Sequence, residues 1–156
     1  MTDKKAIGKR FFLRYAGMLK VDMANMFNVS RPTVTEWEKE GNVPWSKLKY
    51  LSDSQAVSWD WILEGRRPQE SIKPVTIPDS TSPEFDTAGI NQRFLSLFDG
   101  MTHLEIAKHL NVTRGAVSGW NRNFSQVSWK RLSDAVKVYG IRWDWLIDGL
   151  EPKNRL

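Results

Sequence analysis

Cysteine is absent from the 156 residues, which excludes disulfides, thiolate zinc sites and cysteine nucleophiles and suits a reducing compartment. Histidine is almost as scarce. His103 and His109 alone supply too little imidazole for a metal site or a catalytic cluster, so neither a metal nor a cofactor is expected. No apolar run approaches the roughly 20 residues needed to cross a bilayer, and the start, MTDKKAIGKR, lacks the apolar stretch of a signal peptide. A cytoplasmic protein without membrane contact is expected. The chain also has no recognisable carboxylate pair, no nucleophile set with a base and no phosphate-binding glycine loop. Neither an enzyme nor a small-molecule substrate is expected.

What the sequence does have is apolar and aromatic surface. Hydrophobic residues make up 40% and aromatics 12%, with eight tryptophans, enough to offset chain entropy in a folded protein. The length accommodates one ordinary domain or two small ones. A net charge of +5 helps to capture a polyanion without establishing one.

The second of those size readings gains support from an internal repeat. Setting Arg10–Glu40 against Arg93–Asn123 aligns Phe11 with Phe94, Gly17 with Gly100, Ala24 with Ala107, Asn28-Val29 with Asn111-Val112, Arg31 with Arg114, Val34 with Val117 and Trp37 with Trp120. After a one-residue insertion near Phe124, Trp45 pairs with Trp129, Leu48 with Leu132, and Trp59-Asp60-Trp61 with Trp143-Asp144-Trp145. All eight tryptophans fall on equivalent positions. Between the copies, PQESIKPVTIPDSTSPEFDTAG holds four of the seven prolines and no helical periodicity, and reads as a semi-rigid linker. The expected organisation is a first domain at 1–67, a linker at 68–89 and a second domain at 90–156.

Each copy reads as short helices separated by turn signals, with no alternating strand pattern, so the expected fold class is all-α. Phe94, Leu97 and Phe98 form the stripe of a first helix that stops at Asp99-Gly100. Leu104, Ala107 and Leu110, or Val21, Ala24 and Phe27, form the inner face of a second helix, which Thr102 caps in the second copy. Asn28 and Asn111 then occupy a turn that needs positive φ, where asparagine is the best residue after glycine. Ser30 or Thr113 caps the third helix, Pro32 sits in its first turn, and Val34 with Trp37, or Val117 with Trp120, faces the core. Trp45–Ser54 and Trp129–Val138 suggest a fourth helix. WDWILEG and WDWLIDG suggest a fifth, ended by Gly65 and Gly149. A short third helix with one buried edge and a small, polar outer edge has the shape that enters a major groove.

The runs LEIAKHLNVTRGAVSGW and GIRWDWLIDGLEP, with VDMANMFNVSRPTVTEW and VSWDWILEGRRP in the first copy, resemble the DNA-binding domain of phage CI-type repressors over nearly all of both copies. The resemblance implies two tandem five-helix helix-turn-helix, lambda-repressor-like domains. It also implies a transcriptional regulator, repressor or activator, of a bacterial cell or a phage-infected one, with double-stranded DNA as partner. Bases would be met by Lys20, Ser30, Arg31, Pro32, Thr33, Thr35 and Glu36, and by His103, Thr113, Arg114, Gly115, Ala116, Ser118 and Gly119. Lys39, Asn121 and Arg122 would touch phosphate. Arg31 and Arg114 are the candidates for bidentate guanine contacts.

A linker of this size extends to about 75 Å or averages about 30 Å as a coil, so it spans half-sites about 34 Å apart. The expected pairing is a homodimer or an intramolecular pair of domains. Trp59 and Trp143 lie two positions from Trp61 and Trp145 and thus on another side of the fifth helix, and they are expected as exposed interface residues. The competing reading is an adaptor in which one or both domains hold a protein instead of DNA. Glu36, Glu38 and Glu40, where the second copy has Gly119, Asn121 and Asn123, favour it for the first copy.

Overall fold

The computed structural model describes residues 3–66, 75 and 85–154 of the chain. The fold is all-α: every element among the described residues is helical, and Ile141 and Asn154 form an isolated antiparallel bridge. The chain divides into two compact units, Thr2–Phe85 and Asp86–Leu156. Most of the segment read as a linker lies outside the described residues. Its last residues do not: Asp86 accepts a hydrogen bond from Gly89 N at 2.9 Å and caps a helix that begins at Thr87.

The first unit holds α1 (Lys4–Arg14), α2 (Lys20–Met26), α3 (Arg31–Glu40), α4 (Trp45–Ser54) and α5 (Trp59–Glu64). Asp3 caps α1, Ser30 caps α3, and α3 and α5 end on left-handed Gly41 and Gly65. The second unit holds α6 (Thr87–Leu95), α7 (His103–Leu110), α8 (Arg114–Asn121), α9 (Trp129–Tyr139) and α10 (Trp143–Asp148). The expected first helix of this copy tightens into a 3₁₀ turn at Ser96–Phe98 before Gly100.

Each core is aromatic. In the first unit the Phe11 ring packs against Phe27 at 5.8 Å and edge-on against Trp37 at 6.5 Å, and Tyr15 and Tyr50 add further edges to Phe27. In the second, Phe94 meets Phe98 at 5.5 Å and Trp120 at 5.8 Å. A large apolar side chain buried this fully contributes about 1.5–3 kcal/mol, and the ring geometries are the edge-to-face ones that aromatic quadrupoles favour.

Two expectations are corrected. Trp59 and Trp143 are not exposed: both are buried, Trp59 stacked on Trp45 at 6.3 Å and Trp143 tilted against Trp129 at 6.4 Å. Placing them on another side of the helix from Trp61 and Trp145 was not enough, because α5 and α10 are buried all round. Each carries five consecutive buried residues, Trp59–Leu63 and Trp143–Ile147. The inner face of the second helix also lies further along than its periodicity implied. Val21 and Leu104, in the first turns of α2 and α7, are exposed, while Met23, Ala24 and Phe27, and Ile106 and Ala107, are buried.

The fifth helix of each unit is tied down by an arginine from the first. Arg10 Nε and Nη2 donate to the carbonyls of Ile62 and Leu63 at 2.8 and 2.9 Å. Arg93 repeats this on Leu146 and Ile147 at 2.8 and 2.6 Å. These carbonyls belong to the end of a helix, where no further turn satisfies them.

At the end of the third helix the copies differ. Gly8 lies against Gly41, such that a Cβ on Gly8 would come within 2.7 Å of Gly41 Cα. The position equivalent to Gly8 is Asn91, fully buried, whose Nδ2 donates to the carbonyls of Trp120 and Ser125 at 3.2 and 2.8 Å while its Oδ1 accepts from Val127 N at 3.1 Å. The side chain thereby supplies partners to the longer loop that follows α8.

Candidate nucleic-acid interface

The third helix of each unit is delivered by its asparagine turn. Asn28 and Asn111 have φ of 52° and 53°, a left-handed conformation that costs most residues roughly 1–2 kcal/mol and that asparagine tolerates. The turn closes on Val29 N donating to Ala24 O, and Val112 N to Ala107 O, both at 2.9 Å. Val29 and Val112 are half-buried beneath it. Ser30 Oγ then accepts from Thr33 N at 3.3 Å, and Thr113 Oγ1 from Ala116 N at 3.1 Å. With Val34, Trp37, Val117 and Trp120 buried, the orientation of each helix about its axis is set, and its opposite edge faces outward.

In the first unit Ser30, Arg31, Pro32, Thr35, Glu36 and Lys39 are exposed on α3 and Thr33 is half-exposed. Lys20, the first residue of α2, forms an ion pair with Glu38, and Thr35 Oγ1 donates back to Arg31 O at 3.2 Å. In the second unit Thr113, Arg114 and Gly115 are exposed at the start of α8, and Ala116, Ser118 and Gly119 are half-exposed along it. Asn121 ends that helix and Arg122 follows, both exposed. His103 opens α7 behind the Thr102 cap, where Thr102 N donates to Glu105 Oε2 at 2.6 Å and holds that carboxyl below its ordinary pKa.

The two surfaces differ in charge. From 19 to 42 the sequence has Lys20, Arg31 and Lys39 against Asp22, Glu36, Glu38 and Glu40, whereas from 102 to 125 it has Lys108, Arg114 and Arg122 against Glu105 alone. The outer side of α3 thus carries three carboxylates, of which the Lys20–Glu38 pair neutralises one.

Sequence reasoning passed over Phe124, which stands 81% exposed just beyond Arg122. The one-residue insertion near it marks the place where the register between the copies shifts. Among the described residues no three His, Cys, Asp or Glu side chains gather as a metal site, and no helix is long and apolar enough to cross a membrane. No protein-family model, curated protein or solved structure matches the chain.

Proposed function

We propose that the protein is a sequence-specific double-stranded DNA-binding transcriptional regulator, built from two helix-turn-helix domains of the phage CI-type repressor kind and joined by the proline-rich segment. One observation carries this reading. Twice in the chain an asparagine turn leads into a short helix whose valine and tryptophan edge is buried, while its opposite edge is opened by an exposed arginine, and stays exposed along α3 and half-exposed along α8. Such a helix fits a major groove, and an arginine in its first turn reaches guanine O6 and N7. The regulator acts by occupying its site in the cytoplasm, without catalysis, and tethering raises the local concentration of the second reader to the millimolar scale.

The acidic outer edge of α3 favours a second reading for the first domain alone, that of a docking surface for a protein partner. Selecting bound fragments from random DNA with the full chain, followed by a salt titration, separates the two. A pair of readers selects two half-sites and loses about 10³–10⁵ in affinity between 50 and 200 mM salt if 6–10 phosphates are contacted. Recovery of a single half-site assigns DNA to one domain. Failure to enrich any sequence, with weak binding at all salt concentrations, overturns the proposal.

A further inference from the structure

We infer that Phe124 extends the DNA interface of the second unit, its ring packing against the deoxyribose of the strand that borders the groove entered by α8, beside a phosphate held by Arg122. The inference rests on the proposed function and adds to it an apolar contact with the backbone. The local sequence fixes where the ring stands. α8 ends on a Schellman turn, in which Asn123 takes a φ of 60°, Asn123 N donates to Trp120 O at 3.2 Å and Phe124 N donates to Gly119 O at 2.8 Å. The residue at the Phe124 position of such a turn ordinarily packs on an apolar side chain one turn back. Here the residues one turn back are Ser118 and Gly119, which offer it nothing to cover. Phe124 therefore projects, and at 81% it is the most exposed large apolar side chain among the described residues.

The backbone on both sides of the ring is held. Buried Asn91 donates to Ser125 O at 2.8 Å and accepts from Val127 N at 3.1 Å, and Ser125 lies so close to the helix that a Cβ on Gly119 would stand 3.0 Å from its Oγ. The loop thus borders the outer edge of α8 and presents the ring from an ordered backbone, which lowers the entropy lost on binding. Charge identifies the occupant. Between Glu105 and Asp134 the chain carries Lys108, Arg114, Arg122, Lys130 and Arg131 and no carboxylate. Lys130 is paired with Asp134 and Arg131 bonds Leu110 O, while Arg114 and Arg122, at the two ends of α8, are exposed. An apolar ring within a cationic stretch suits a polyanion that also has apolar surface, which the C–H faces of the sugars provide between phosphates. An apolar protein patch seated on the ring would desolvate these cations without supplying anions.

The first unit provides an internal comparison. There α3 stops on left-handed Gly41, and the chain passes through Asn42 to buried Val43. In the second unit Phe124, Ser125 and Gln126 lie between Asn123 and the equivalent buried Val127. The repeated fold thus closes this junction without an aromatic residue, and the longer loop that carries one follows the third helix without carboxylates.

The test uses the full chain and fluorescence anisotropy with two labelled duplexes, one drawn from the fragments selected from random DNA and one of shuffled sequence, from about 50 to 200 mM salt. Phe124→Ala is expected to weaken binding to both duplexes about fivefold, the effect of losing about half of a phenylalanine's burial, with the salt slope unchanged. Phe124→Leu, which keeps apolar surface, should recover most of that loss. Arg122→Gln should instead make the salt slope shallower by about one. A thermal melt equal to that of the wild type is expected for Phe124→Ala, because the ring covers nothing in the fold. If the wild type binds and Phe124→Ala binds both duplexes equally well, the inference is overturned and the functional reading stands. Absence of binding by the wild type at every salt concentration overturns both. A loss confined to the selected duplex assigns the ring to a base, and a loss that follows a change in sedimentation coefficient assigns it to a contact between copies of the chain. Either result overturns the sugar contact.

Discussion

Replacing Arg93 with methionine is expected to destabilise the second unit by about 3 kcal/mol. The guanidinium bonds two carbonyls at the end of α10, at 2.8 and 2.6 Å, and each hydrogen bond from a charged donor contributes about 1.5–3 kcal/mol. Half-burying the cation opposes this. Desolvation lowers the Arg93 pKa, and Asp86 and Asp148 only partly restore it, so the lower end of the range is taken for each bond. Methionine retains the apolar stem and isolates the polar loss. About 3 kcal/mol is a large part of the 4–10 kcal/mol expected for a unit of roughly 70 residues.

Amide hydrogen exchange on the full chain reads the effect helix by helix. Protection in α6 and α10 should fall about a hundredfold while α1 and α5 keep theirs. Arg10→Met should produce the mirror pattern, because Arg10 makes the same two bonds to Ile62 and Leu63. A loss below about tenfold in α10, or equal losses in both units for a single variant, refutes the reasoning.

Asn111→Ala should cost about 1 kcal/mol, a fall in melting temperature of about 4–8 °C, while Asn111→Gly should be nearly neutral because its φ of 53° suits glycine. Circular dichroism melts check both. Asn91→Ala leaves Val127 N and the Ser125 carbonyl without their partner, while Trp120 O keeps Asn123 N, and should cost about 3 kcal/mol by chemical denaturation. Arg114→Ala should weaken binding to the selected site by about 1–3 kcal/mol and relax preference at one base pair, whereas unchanged affinity and preference would remove Arg114 from the interface.

The elements that recur were legible because repetition exposes them. Positive φ at Asn28 and Asn111, the caps at Ser30 and Thr113, and the glycine stops at Gly65 and Gly149 each follow from local chemistry seen twice. Tertiary burial was not legible in the same way. Helical spacing separates Trp59 from Trp61, but it cannot reveal that a six-residue helix is enclosed on every side. The Arg10 and Arg93 ties were visible only as an aligned pair, since bonds across more than 50 residues, from 10 to 62 and from 93 to 146, leave no local pattern. Asn91 was hidden for another reason: it stands opposite Gly8, and the two residues solve the same junction by different means.

The copies share the buried edge of the third helix and diverge on its outer edge, and the divergence can be tested through charge. Val34, Trp37, Val117 and Trp120 are buried alike, but Glu36, Glu38 and Glu40 stand opposite Gly119, Asn121 and Asn123. If the first domain lies on DNA under the proposed function, each of these carboxylates opposes phosphate by about 0.5–1 kcal/mol at low salt, less at physiological ionic strength, where the screening length is about 8 Å. Changing all three to glutamine should then raise the full chain's affinity at least tenfold in low salt and by less as salt increases. The substitution keeps helix propensity and removes the Lys20–Glu38 ion pair, freeing that lysine for the duplex. An affinity unchanged at every salt concentration would mean that α3 does not approach the polyanion, and the first domain would then be the protein-docking member of the pair.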